Sequence, residues 1–274
     1  MHETAVDERG ALRHVTEAKR LQALGLVREG RLYDLGRVID EQSPVFPGRY
    51  FRQTLVSTAH HANTAMPVGA NQVNWITEVF SATTQLGTHL DTLGHLQMAD
   101  RGFGGFTVAE LAGPSGLTRL GAETVPQIVT RGLLVDASPL RQGDVIGLDA
   151  VADIEPEPGD AVLFHTGWGE RWDDGEAYLS GEPGPGRELA RWLAERDVAL
   201  TGCDTWSYGP VPPEDPDRPF EVPQTLNVNH GVFIVENLDL SALAADRVRE
   251  FALILTFPKL RGATGAWTSP IALV

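Results

Sequence analysis

The sequence predicts an α/β protein, and three observations predict it. Short apolar runs of strand length alternate with amphipathic helical stretches. No repeat, low-complexity tract or linker interrupts that alternation over 274 residues. A hydrophobic share of 42% is enough to fill one substantial core. We therefore expect one domain spanning 1–274, with residues 1–30 as an N-terminal helical extension.

Taken in order, Val6, Leu12, Val15, Ala18, Leu21 and Leu24 recur at mostly three-residue intervals. They predict a helix from Thr4 to Leu26, with Gly25 as its stop. Arg31 to Leu35 reads as a first strand. Residues 52–70 lack clear periodicity and read as an exposed loop or hairpin. Trp75 to Phe80 and Ala82 to Asp91 read as strands. Phe106 to Leu111 and Thr124 to Val129 read as short helices, the second leading into a buried strand, Gly132 to Asp136. Ala161 to His165 is another wholly apolar strand. A helix begins near Pro185, a favoured first-turn residue, and puts Leu189, Trp192 and Leu193 on one face. It feeds a strand from Val198 to Gly202. Six prolines between 209 and 223 predict an ordered but irregular loop. Phe251 to Phe257 reads as a last central strand.

Charge and composition narrow the partners. The formal charge is −15, from 22 basic against 37 acidic residues. Such a surface repels phosphate backbones and anionic lipid, so neither nucleic acid nor membrane is an expected partner, and a small molecule is. The single cysteine, Cys203, excludes an internal disulfide and a cysteine-based zinc site. The start of the chain lacks the basic and apolar pattern of a signal peptide, and no stretch approaches the ~18 apolar residues of a membrane span. The cytoplasm is the expected compartment.

Chemistry concentrates in Gln85-Leu86-Gly87-Thr88-His89-Leu90-Asp91-Thr92-Leu93-Gly94-His95. In an extended chain residues two apart share a face. On that geometry Gln85, His89 and Asp91 present a carboxamide, an imidazole and a carboxylate to one point, and His95 returns after a tight turn. Such a set can hold a divalent cation and leave positions open for water. The same spacing also fits a hydrogen-bonded His–Asp pair with no ion.

This segment resembles the signature of the cyclase family of metal-dependent hydrolases, His-x-Gly-Thr-His-x-Asp-x-Pro-x-His. Gly87, Thr88, His89, Asp91 and His95 match it, while Gln85 stands at the first His and Leu93 at the Pro. Similar stretches recur in the family's order at Tyr33-Asp34-Leu35 with Pro44 and Pro47-Gly48, at Gly159 to Leu163 with Thr166-Gly167-Trp168, at Gly202 to Thr205, at Gly231 to Leu238 and at Gly262 to Gly265. The resemblance implies a compact fold around a mixed β-sheet, of the swivelling β/β/α kind, assembled as a homodimer or homotetramer. It implies metal ligands at Gln85, His89 and Asp91, with His95 as a proton-transfer group or second-metal ligand. It places the family's late glutamate at Glu236. Formamidase-like members carry a His twelve residues earlier, where this chain has Gln224.

A carboxamide oxygen is harder and weaker than imidazole, so the expected ion is Mn²⁺ rather than Zn²⁺, one per chain. The expected activity is hydrolysis of an amide, cyclic amide or lactone by metal-activated water, with His95 and Glu236 handling protons. Polyketide-type cyclisation or dehydration at the same metal, and non-catalytic small-molecule binding, are the alternatives. Around the site, His60 and His61 could overhang the pocket or be exposed loop residues. His165 ends an apolar strand beside a glycine loop and could line the pocket or be structural. Trp168 and Trp206 are the aromatic candidates for a pocket wall. Cys203 has no activating base and reads as an inert thiol.

Overall fold

A computed structural model describes residues 6–57, 69–73 and 75–274. His60 and His61 lie outside the described residues. In place of one long N-terminal helix there is a 3₁₀ turn, Gly10–His14, followed by α1 (Glu17–Leu24). Gly10 has φ +54, and a Cβ there would come within 2.5 Å of the Gly231 carbonyl oxygen. That close approach bends the chain, and Thr16 then caps α1 by accepting from the Lys19 N–H at 3.2 Å. The side of α1 that packs inward carries Lys19 and Ala23, whereas Leu21 and Leu24 are exposed. Lys19 Nζ is buried against Asp160 Oδ1 at 2.7 Å, so an ion pair fastens this helix to the sheet.

After β1 (Leu32–Asp34), a two-stranded hairpin, β2 (Phe51–Ser57) with β3 (Thr77–Ala82), stands apart from the main sheet. The expected strand from Ala82 to Asp91 reduces to β4 (His89–Asp91). Gly87 has φ +56, a left-handed geometry that ends any extended run before it. A short capped helix, α2 (Val108–Leu111), and a small ribbon of β5 (Ala112–Gly113) and β6 (Gly116–Leu117) follow. The helix expected over Thr124 to Val129 is absent. A 3₁₀ turn covers Ala122–Thr124, and Ile128 already opens β7 (Ile128–Asp136). Pro126 donates no hydrogen bond, and the β-branched Ile128, Val129 and Thr130 suit a strand better than a helix.

The remaining elements are β8 (Val145–Ile146), β9 (Ala161–His165), α3 (Gly175–Leu179), β10 (Gly184–Pro185), α4 (Arg187–Glu195), β11 (Leu200–Cys203), α5 (Glu221–Gln224), β12 (Phe233–Glu236), α6 (Ser241–Ala245), β13 (Glu250–Leu255), β14 (Gly265–Trp267) and β15 (Ile271–Leu273). β14 and β15 follow β13 in the chain and lie at or next to the edges of the main sheet. Nine strands form one curled mixed sheet in the order β1-β15-β13-β7-β9-β11-β12-β4-β14. Its middle four, β7, β9, β11 and β12, run parallel. Parallel strands are covered on both faces, which is why these segments are largely apolar instead of alternating, with Thr130, Arg131 and Thr201 as polar interruptions. Val162, Phe164, Leu200, Ile234 and Leu253 are at most 1% exposed. Each such side chain stabilises the fold by about 1.5–3 kcal/mol relative to exposure. α4 seals one side with Leu189 and Leu193, both fully buried.

This topology fixes where polar chemistry can sit. The carboxyl ends of the four parallel strands carry Asp136, His165, Asp204 and Glu236, one after another. In open α/β sheets ligands bind outside such ends. β4 then pairs antiparallel with β12, in a register that sets His89 opposite Glu236.

Candidate metal centre

His89 and Asp91 lie two apart on β4 and project to the same side. Glu236 joins them from the neighbouring strand. Each of the three offers one ligand atom, and these atoms all lie within 4.8 Å of one another. His89 Nε2 is 3.3 Å from Glu236 Oε2 and 3.6 Å from Asp91 Oδ1. The other ring nitrogen of His89, Nδ1, donates to the Gly87 carbonyl at 2.8 Å. That bond fixes the tautomer and leaves Nε2 with a free lone pair, the arrangement typical of a metal-bound imidazole. The left-handed turn at Gly87 that shortens the strand thus also aims its histidine.

The electrostatics of this group are unfavourable without a cation. His89 Nε2 and Asp91 Oδ1 are both buried and have no hydrogen-bond partner. An unsatisfied buried polar group costs about 1–3 kcal/mol, more when charged. Burial pushes the Asp91 carboxyl up, with nearby Glu236 adding to the rise and His95 opposing it. Burial pushes Glu236 up to about 7, partly relieved by His95 and Arg49. It pushes the His89 imidazole down, toward the neutral form that a metal requires. Two carboxylates and a neutral imidazole, each with a lone pair aimed at one point, fit a divalent ion.

The remaining predicted residues divide. His95 lies beside the group, its Nε2 3.9 Å from Asp91 Oδ1, and is 22% exposed. Gln85 precedes the Gly87 turn, so strand alternation does not put it on the face of His89 and Asp91. Its Nε2 donates to Thr264 Oγ1 at 2.9 Å and lies 3.4 Å from His95 Nδ1, while its Oε1 accepts from Thr84. Trp206 lines the same pocket as Asp91, His95 and Glu236. Trp168 does not form a pocket wall. It is buried, with its indole N–H donating to the Tyr178 carbonyl at 2.9 Å. His165 is likewise turned away, held by Asp136 at 2.9 Å. Gln224 Nε2 is used by the Gln97 carbonyl at 2.9 Å. Cys203 is fully buried, and burial pushes its thiol well up, so it is no nucleophile.

The pocket above the group encloses about 600 Å³, its mouth included. Among its lining residues, Phe46, Arg49 and Phe220 were not singled out from sequence. Phe46 and Phe220 extend Trp206 into an aromatic wall, and Arg49 lines the pocket as a cation. Phe220 lies in the proline-rich loop 209–223, which was expected to shape the pocket, whereas Phe46 and Arg49 stand outside any motif. Glu182 also escaped notice. It is fully buried and accepts from the Trp206 N–H at 2.7 Å, the Ser207 N–H at 3.1 Å and Ser207 Oγ at 2.5 Å. It thereby clamps the stretch of wall that carries Trp206.

Fold and site together define a class: a curled mixed sheet bearing a buried His-Asp-Glu group of metal-ligand geometry beside a small-molecule pocket. A family model described as "Putative cyclase" matches residues 33–210, and the chain belongs to this cyclase family. Glu236 lies beyond the matched residues. A crystal structure described as a novel cyclase superposes with a TM-score of 0.87 at 26% identity, over 98% of this chain and 96% of that one. Isatin hydrolase A from Ralstonia solanacearum gives 0.66 at 22% identity, over 94% and 97% of the two chains. An isatin hydrolase bound to the product analogue thioisatinate gives 0.68 at 18% identity, over 94% and 99%. The last two likenesses establish the fold. No curated protein sequence matches the chain significantly. Among the described residues no helix is long and apolar enough to cross a membrane.

Proposed function

We propose that this chain is a divalent-metal-dependent hydrolase acting on an amide, cyclic amide or lactone. The observation that carries the reading is the pair of orphaned buried atoms, His89 Nε2 and Asp91 Oδ1, facing Glu236. Buried polar atoms are in the large majority hydrogen-bonded, so two unpaired ones that face the same carboxylate call for a shared partner. His89, Asp91 and Glu236 would hold the ion, one per chain. An oxygen-rich donor set favours Mn²⁺ over Zn²⁺. When bound, the cation supplies polarisation of a carbonyl oxygen and activation of water.

The chain's own residues do the rest. His95 stands at the pocket floor, within reach of both the ion site and the pocket, and takes and returns the proton. Gln85 is its positioning residue. With its amide held by Thr264 and Thr84, its Nε2 lies 3.4 Å from His95 Nδ1 and fixes where the ring sits beside Asp91. The aromatic wall excludes water from one side of the bound molecule. Relatives in fold described as isatin hydrolases, whose substrate is a cyclic amide, support the choice of reaction.

The test is a split between metal and turnover, with N-formyl arylamines, cyclic imides and aryl lactones as substrates. Asp91→Ala is expected to lose both the ion and activity. His95→Gln is expected to keep the ion and lose about 10²–10⁴-fold in kcat. A fully metallated Asp91→Ala protein overturns the ligand assignment. Absence of hydrolysis of all three substrate classes by manganese-loaded protein overturns the reaction.

A further inference from the structure

We infer that Arg49 is the anion-recognising residue of this pocket, so that the molecule bound there carries an anionic oxygen group beside a flat ring. The inference rests on the hydrolase reading and names the substrate class of that same site: ring-bearing carboxylates, as acyl precursors or as hydrolysis products.

Charge counting comes first. Asp91 and Glu236 together carry two negative charges, which a divalent ion balances. Among the described residues Arg49 is then the one arginine or lysine in the lining. The chain has 37 acidic and 22 basic residues, so acidic partners are plentiful. Yet among the described residues no carboxylate forms an ion pair with Arg49. Its recorded hydrogen bond runs from Nη1 to the Gln85 carbonyl at 3.1 Å. A guanidinium has five N–H donors, and a planar fork of two matches a carboxylate. The bond to Gln85 fixes the arginine to the loop that carries the metal-site histidine, so an anion held by its other donors sits at a set distance from the ion.

Shape and polarity supply the ring. Arg49 Cζ lies 5.5 Å from the centroid of Phe46. Phe46 lies 5.6 Å from Trp206, tilted by 38°, and Trp206 lies 6.4 Å from Phe220, nearly perpendicular to it at 71°. The three rings form one run of aromatic contacts that starts at Arg49. A small hydrophilic anion would leave that surface wet, whereas a flat ring covers it and gains offset or edge contacts. Trp206 is in turn fixed by the buried Glu182, so this wall is built in advance of binding.

Titration calorimetry on manganese-loaded full-length protein tests this, with benzoate, benzamide and acetate as probes. A hydrogen bond to a charged group contributes about 1.5–3 kcal/mol, which is roughly 10- to 100-fold in affinity. Benzoate is expected to bind at least about 10-fold more tightly than benzamide or acetate. Arg49→Gln is expected to weaken benzoate by about 10-fold, leave benzamide and manganese content unchanged, and be partly rescued by Arg49→Lys. Equal binding of benzoate and benzamide overturns the inference, as does an Arg49→Gln protein that binds benzoate like the parent. Loss of manganese in Arg49→Gln also overturns it, since the arginine would then be holding the ligand loop. Repeating the comparison in chelator separates the two readings. Protein that never retains an ion sinks the hydrolase assignment, while the arginine dependence of benzoate binding still decides the role of Arg49.

Discussion

Replacing Glu236 with Gln should stabilise the ion-free protein at alkaline pH and destroy its response to metal. In the ion-free protein burial raises the Glu236 carboxyl from 4.5 to about 7. The folded state therefore holds this proton more tightly than the unfolded chain does. Its stabilising contribution is fully present below about pH 4.5 and is lost as pH rises toward 7. Above pH 7 the buried charge carries its whole penalty. At about 1.4 kcal/mol for each tenfold change in proton affinity, that penalty is about 3 kcal/mol at most. Glutamine keeps the shape and cannot ionise, so Glu236→Gln escapes it. Urea unfolding of chelated protein at pH 5 and pH 8 measures the difference. The variant is expected to match the parent within about 1 kcal/mol at pH 5 and to exceed it by about 2–3 kcal/mol at pH 8. Adding Mn²⁺ at pH 8 reverses the order, because the parent gains binding free energy and the variant has lost a charged ligand. Removing even an outer partner of a metal ligand costs about 10–100-fold in affinity, so the loss here should be at least that large. A variant that is less stable than the parent at pH 8 in chelator, or that binds Mn²⁺ as tightly, refutes the reasoning.

The other predictions concern the scaffold that aims the site. Gly87→Ala forces a Cβ to within 2.5 Å of Ile39 Cγ1 at a residue with φ +56. It should cost about 1–2 kcal/mol in backbone strain alone and lower metal affinity, because the Gly87 carbonyl holds the His89 tautomer. A thermal melt and a metal titration check both, and unchanged metal affinity counts against that link. Lys19→Met removes the cation that pairs with fully buried Asp160, although Arg131 still meets that carboxylate at 2.5 Å. The expected cost is about 1–3 kcal/mol, below that of a buried ion left with no partner. An unchanged urea midpoint would show that α1 is not fastened to the sheet through this pair.

Local chemistry determined a good deal by itself. Largely apolar runs marked β9, β11 and parts of β7 and β13, because a strand covered on both faces buries side chains at every position. His89 and Asp91 were legible as a pair because alternation along three residues of strand needs no distant information. Elsewhere local signals were overruled. The apolar period that ran through α1 missed the break at Gly10, where contact with Gly231 sets the backbone. The same kind of contact removed the helix after Thr124, where pairing with β13 prevailed. Gln85 was read as a ligand from treating residues 85–91 as one extended run and from resemblance, and the turn at Gly87 removes the first of these grounds. Glu236 was placed near the site by resemblance, but its role as third member of the donor group follows from a strand pairing across 147 positions of sequence, Glu236 opposite His89. The pocket wall is the extreme case. Trp206 was legible as a wall candidate, but Phe46, Arg49 and Phe220 come from stretches whose spacing carries no pattern, and tertiary packing brings them together. Sequence can set which groups share a strand face, since that geometry repeats every two residues. Which loops meet above that face depends on the packing of the whole chain.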